Sequence, residues 1–232
     1  PMGFLAIDFA IHGPKKPKTL VVTGRTQKKI DMAARLYTVE EAKKNGVKLV
    51  YVNTRDIVDV NKELRKYSEK GFDDVFIFAP NEEMVTYGVK MLAFDGCLNF
   101  FSGPADQEFS SRVNFYNIHY NSTHFVGTSG GNTEDMKQSI ELIESKTVNV
   151  AKIATHILGL DHAVETTKAL PELEGSKKIV YTHKKFPLTE VDKFDENSDD
   201  KYIRELKSIV ERNGNLWSGE AERYFIQNAP EI

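Results

Sequence analysis

The 232-residue sequence predicts an α/β fold: a doubly wound parallel sheet with helices on both faces. Three observations predict it. Apolar residues switch repeatedly between short β-branched runs and helical i, i+3, i+4, i+7 spacing. The short runs end in Gly, Asn or Pro, as strands leading into turns do. No internal repeat or low-complexity tract interrupts this alternation.

Element by element, "MGFLAIDFAIHG" places Leu5, Phe9 and His12 at helical spacing, and Gly13-Pro14 stops that helix. "TLVVT" (19–23) is a strand. "QKKIDMAARLY" (27–37) is an amphipathic helix through Ile30, Ala33, Ala34 and Tyr37. Thr38 with Glu41 suits a capping box for a further short helix. "KLVYVN" (48–53) is a strand, "DVNKELRKYSEK" (59–70) a helix, and "DVFIFAP" (74–80) a strand closed by Pro80. Asn81 caps the helix "EEMVTYGVKMLAF". "CLNFFSGP" (97–104) is a strand ending in a Gly-Pro turn. A less regular stretch leads to the strand of "THFVGTSGG" (123–131), and Asn132 caps the helix "EDMKQSIELIESK". Beyond residue 148 the pattern weakens. "KKIVYTH" (177–183) reads as a strand, "ENSDDK" (196–201) as an exposed acidic loop, and two helices follow in "DDKYIRELKSIVERNG" and "GEAERYFIQNA". The domain reading is a nucleotide-binding domain over 1–150 and a C-terminal return segment with helices over 151–232.

Composition excludes several classes. Hydrophobic residues are 40% and charged residues 28%, ordinary for a globular chain. A net charge of −3 gives no basic field for nucleic acid. One cysteine, Cys97, rules out a disulfide framework and a cysteine-rich zinc site in this chain, and fits a cytoplasmic setting. No apolar stretch reaches the roughly 18 residues that a membrane span needs, so no membrane partner is expected.

The opening Pro1-Met2-Gly3 fits the last positions of a G-x-G-x-x-G turn, with Gly3 as the third glycine against the helix. The first strand of such a Rossmann-like sheet would then lie upstream. A central strand buries about five side chains at about 1.5–3 kcal/mol each. That rivals the ~5–15 kcal/mol stability of a whole domain. The expectation is therefore an open lane between the strands at 19–23 and 74–79.

The segments "GFLAIDFAIHGPKKPKTLVVT", "ARLYTVEEAKKNGVKLVYVNT", "GFDDVFIFAP", "FDGCLNFFSGP", "VNFYNIHYNSTHFVGTSGGNTEDM", "ATHILGLDHAVETT" and "KKIVYTHKKFPLT" span about residues 1–195. In order and spacing they resemble the zinc-type medium-chain dehydrogenases, in the branch that acts on sugar phosphates. Thr155-His156 and Leu160 fit the family's return toward its catalytic domain. The resemblance implies a cofactor-binding half of an oxidoreductase. Its activity would be hydride transfer between NADP or NAD and a polyol–ketose pair, with a sugar phosphate or polyol as small-molecule substrate. It places the Lewis-acid zinc in an N-terminal domain that this chain does not contain, so no catalytic and no metal-ligating residue is assigned here. A homo-oligomer stays open. The alternative function is a regulatory module that binds nucleotide without chemistry.

The candidate cofactor residues lie at strand ends, where ligands sit in this fold. Gly3 faces the pyrophosphate from a helix N-terminus. Gly24, Arg25 and Thr26 follow the strand that reads the adenosine ribose. A carboxylate there would repel a 2′-phosphate, whereas Gly leaves room and Arg25 offers charge-assisted bonds, which favours NADP over NAD. Phe78, Ala79 and Pro80, then Ser102 and Gly103, then Thr128, Ser129 and Gly130 match the family's adenosine- and nicotinamide-lining turns. The histidines form no metal motif. Tyr181 and Lys185 have Y-x-x-x-K spacing, but Tyr181 sits in a strand pattern and the pair is rejected as catalytic. Asp8, inside the first helix, has no role that the sequence explains.

Overall fold

The computed structural model describes residues 2–232. Pro1, with which the glycine-turn reading begins, lies outside the described residues. By contacts the chain forms two compact units. One comprises Ala6–Thr147 with Met2, and the other Val148–Ile232 with Gly3–Leu5.

Up to residue 147 the elements run α1 (Met2–His12), β1 (Thr19–Gly24), α2 (Gln27–Leu36), α3 (Val39–Lys44), β2 (Lys48–Asn53), α4 (Val60–Arg65), β3 (Phe72–Ile77), α5 (Glu82–Met91), β4 (Leu92–Phe100), α6 (Phe115–Tyr120), β5 (His124–Gly127) and α7 (Thr133–Glu144). All strand pairs are parallel. They form two ladders, β1-β2 and β3-β4-β5, and among the described residues no ladder joins β1 to β3. The two strands do not pair directly, as the expected lane requires, and the hydrogen-bonded sheet is divided rather than continuous.

Each ladder acquires its helices through the period-2 alternation of its strands. Tyr51 points toward α2, where its hydroxyl donates to the carbonyls of Tyr37 (2.8 Å) and Ala33 (3.1 Å). Burial raises the Tyr51 phenol well above its ordinary value, with Glu41 adding to the effect. Val50 and Val52 point the other way, into a cluster with Val60 and Leu64 of α4 and Met91 of α5. Helices therefore cover both faces. On β3 and β4, Ile77 and Leu98 pack under Val85 and Val89 of α5. Gly88 allows that approach, because a Cβ there would sit 3.1–3.2 Å from Leu98, Ile77 and Val75.

The Thr38 and Asn81 side chains, read as caps from the sequence, accept from backbone N–H groups of α3 and α5, and Asp59, read as the first helical residue, caps α4 instead. Asn132 and Asp135 form a full capping box on α7. One boundary departs from expectation. Leu92, Ala93 and Phe94 read as helix, yet the chain turns into β4 at Leu92. Phe72 pairs with Leu92, and Asp74 already pairs with Cys97, so residues 93–96 bulge out. Asp95 takes φ 60° there. The helix α4 is also shorter than its periodic pattern, and α6 forms in the stretch that reads as irregular.

Asp8 is 1% exposed. His12 Nδ1 lies 3.1 Å from its carboxylate, and His12 Nε2 lies 3.2 Å from Glu41 of α3. Asp8 thus anchors a polar cluster between helices.

The smaller unit contains β6 (Ala154–Gly159), α8 (Ala163–Ala169), β7 (Lys177–Tyr181), β8 (Thr189–Glu190), α9 (Lys201–Arg212) and α10 (Gly219–Asn228). Its sheet is mixed, in the order β7-β6-β8, with β8 antiparallel. The strands β6 and β8 and helix α8 were not legible in the sequence. Its core gathers Ile157, Tyr181, Phe186, Phe194, Leu206, Trp217 and Phe225. Tyr181 lies in β7, as its strand pattern requires. Its hydroxyl donates to Glu222 (2.6 Å) and accepts from Trp217 Nε1 (2.7 Å).

Candidate functional site

The carboxyl ends of β1 and β2 are locked together. Thr54 N–H donates to the Gly24 carbonyl at 2.8 Å, continuing the ladder past both strands. Asn53 ties the turn on both sides. Its amide donates to Gln27 Oε1 (2.7 Å), and its Oδ1 accepts from Arg55 N–H (3.0 Å). The result is a hydrogen-bonded rim that carries Arg25 and Arg55, both exposed.

Arg25 Nη1 lies 3.8 Å from Glu83 in the first turn of α5. Glu83 in turn accepts from the Tyr87 hydroxyl at 2.7 Å, which pushes the Tyr87 phenol up. Arg25, Thr54, Arg55, Glu83 and Tyr87 line a cavity of about 80 Å³. A wider cleft of about 720 Å³ lies beside it, lined by Pro80, Asn81, Glu83, Tyr87, Phe109 and Arg112 among others. Small-molecule sites occupy roughly 300–1,000 Å³. Glu83 and Tyr87 line both spaces, so the small cavity and the cleft adjoin across the first turns of α5.

The remaining sequence-derived candidates fall as follows. Gly24 ends β1, and a Cβ there would meet Ile30 Cδ1 at 3.0 Å, so its bareness also serves the seating of α2. Thr26 is the N-cap residue of α2, although its side chain makes no capping bond. Phe78, Ala79 and Pro80 follow β3, with Phe78 against Phe101 at 5.9 Å between ring centroids. Ser102 and Gly103 follow β4. The Ser102 hydroxyl is buried and has no hydrogen-bond partner among the described residues, while Gly103 faces open space. Thr128, Ser129 and Gly130 follow β5 and are exposed, and Gly130 takes φ 70°. Gly3 is half-buried near the start of α1. Among the described residues no group of three or more His, Cys, Asp or Glu side chains is placed to hold a metal ion. No helix among them is long and apolar enough to cross a membrane.

The family model for zinc-binding dehydrogenases matches residues 1–145. The chain belongs to the zinc-binding dehydrogenase family. It is 46% identical over 232 residues to L-sorbose 1-phosphate reductase of Klebsiella pneumoniae, covering 100% of this chain and 54% of that protein. It is 40% identical over 229 residues to mannitol-1-phosphate 5-dehydrogenase of Aliivibrio fischeri, covering 98% and 54%. The chain thus spans about half the length of the curated relatives it matches. Among solved structures, a zinc-binding dehydrogenase from Sinorhizobium meliloti 1021 bound to NADP superposes with a TM-score of 0.62 at 16% identity, over 78% of this chain and 49% of that one. At that identity the likeness speaks to the fold.

Three residues of this zinc-binding dehydrogenase chain escaped the sequence reading: Arg55, Glu83 and Tyr87. Arg55 was within reach of the strand-end rule applied to Gly24, since it stands two residues past β2. Glu83 and Tyr87 carried no signal, because a first-turn acid and a half-buried helix tyrosine are ordinary features of any helix.

Proposed function

We propose that this chain is the cofactor-binding half of a zinc-type dehydrogenase that moves hydride between a nicotinamide dinucleotide and a polyol–ketose pair, with a sugar phosphate as substrate. The observation that carries the reading is the rim at the ends of β1 and β2, where Arg25 and Arg55 line one cavity next to the turn of the side-chain-free Gly24, beside an open cleft. The printed names of two relatives, both acting on sugar or polyol 1-phosphates, support the substrate class. The NADP in the Sinorhizobium structure supports the cofactor class.

The residues fit a dinucleotide. Arg25 and Arg55 offer charge-assisted bonds to a phosphate on the ribose, and a carboxylate in place of Gly24 would repel it. The cleft beyond Pro80 takes the base. The Ser102 hydroxyl, just past β4 and without a hydrogen-bond partner among the described residues, suits a polar group of the ligand. Gly103 leaves room for a ring to pass close to the backbone. When bound, the nicotinamide supplies the hydride chemistry, and this chain binds and orients it. The described residues offer no zinc-ligand set, so we assign the metal to the part of the relatives that this chain does not match.

The test is equilibrium binding of NADPH and NADH at fixed ionic strength. Arg25→Ala is expected to weaken NADPH about tenfold, in line with one lost charge-assisted bond, and to spare NADH. Equal losses for both dinucleotides would mean that the turn supports the fold without reading the ribose.

A further inference from the structure

The cavity at the rim contains its own counter-anion. Arg25 and Arg55 are its two cations, and Glu83 is the one acid among its lining residues. Glu83 is held in place twice, by the Tyr87 hydroxyl at 2.7 Å and by Arg25 at 3.8 Å. Both partners of the ion pair are more than half exposed, at 53% and 57%, so solvent weakens the pair. A weak ion pair is readily exchanged for another anion, whereas a buried one is not. The bond from the Tyr87 hydroxyl places the Glu83 carboxylate on the cavity wall, facing Arg25.

We propose that Glu83 is a specificity-determining residue of this subsite: its carboxylate occupies Arg25 in place of a phosphomonoester, so a 2′-phosphorylated cofactor binds only by displacing it. This rests on the nucleotide-binding reading above and adds a second determinant to it. Arg25 and Arg55 attract the 2′-phosphate. Glu83 opposes it by competing for one of the two cations and by like-charge repulsion across the small cavity. A cofactor lacking the 2′-phosphate leaves the Arg25–Glu83 pair intact and meets neither effect. The arrangement therefore narrows the gap between the two cofactor forms, which two arginines alone would open widely.

The experiment measures dissociation constants for NADPH, NADH, adenosine 2′,5′-bisphosphate and 5′-AMP in the unmodified chain, Glu83→Gln, Arg25→Gln and the double variant. Gln keeps the length of the side chain and an acceptor for Tyr87. Glu83→Gln is expected to tighten NADPH and the 2′,5′-bisphosphate by about 5- to 10-fold. It should leave NADH and AMP within about twofold. In the Arg25→Gln background the gain should shrink, since the two residues act on one another. An unchanged NADPH constant in Glu83→Gln, or an equal gain for both dinucleotides, overturns the role of Glu83 while leaving the nucleotide reading standing. Binding of none of the four ligands by the unmodified chain overturns the nucleotide reading and this proposal together.

Discussion

His156 stands in β6 with 6% of its surface exposed, its Nδ1 3.0 Å from Thr155 Oγ1. Burial, and then Lys178, hold its imidazole below the ordinary value of 6.5, while Glu190 and Asp192 pull weakly the other way. The unfolded chain therefore binds more protons than the folded one in the window just below 6.5. Stability must rise with pH across that window and fall on acidification. Urea midpoints at about pH 7.5 and about pH 5 should differ more for the unmodified chain than for His156→Gln. Equal acid losses would assign the slope to other groups. As a residue, His156 was noticed in the sequence for the Thr-His pattern and not for its burial, because nothing in "ATHILG" distinguishes a buried strand from an exposed turn.

Among elements, the β3–β4 junction shows how packing overrides propensity. "MLAF" continues the helical period of α5, and the sequence alone favours helix there. Gly71 decides otherwise. It takes φ 99°, and a Cβ on it would lie 2.7–2.9 Å from the backbone of Met91, Leu92 and Ala93. The chain leaving α5 is thus pressed backbone to backbone against the start of β3, and pairs with it at Phe72. Gly71→Ala should cost more than the ~1 kcal/mol typical of a compatible glycine site, since both the left-handed φ and the contact are violated. A midpoint shift no larger than that of an exposed Gly→Ala control, such as Gly103→Ala, would show that the junction relaxes freely. Most other elements were legible because their signals are local: Thr38, Asn81 and Asn132 each cap the helix they announce. The strand pair β6 and β8 was not, because β8 has two residues and is defined by its antiparallel partner alone.

For the whole molecule, the sequence located the candidate site to the extent that strand ends can be read from runs closed by Gly, Asn and Pro. Arg25 was singled out in this way, as the residue after a strand end. Glu83 was not, because its meaning comes from a contact across 58 residues of chain, between a turn and a helix that only the fold brings together. The division between β1-β2 and β3-β4-β5 has a consequence for solvent exchange. In β4, Cys97, Leu98, Asn99 and Phe100 have ladder partners on both sides, in β3 and in β5. The strands β1 and β3 are each paired along one edge among the described residues. In a parallel ladder successive amides point to opposite edges. Deuterium uptake along β1 and β3 should therefore alternate, one amide slow and the next fast, while the four amides of β4 stay uniformly slow. Uniform protection along β1 and β3 would mean that something else hydrogen-bonds to their open edges in solution.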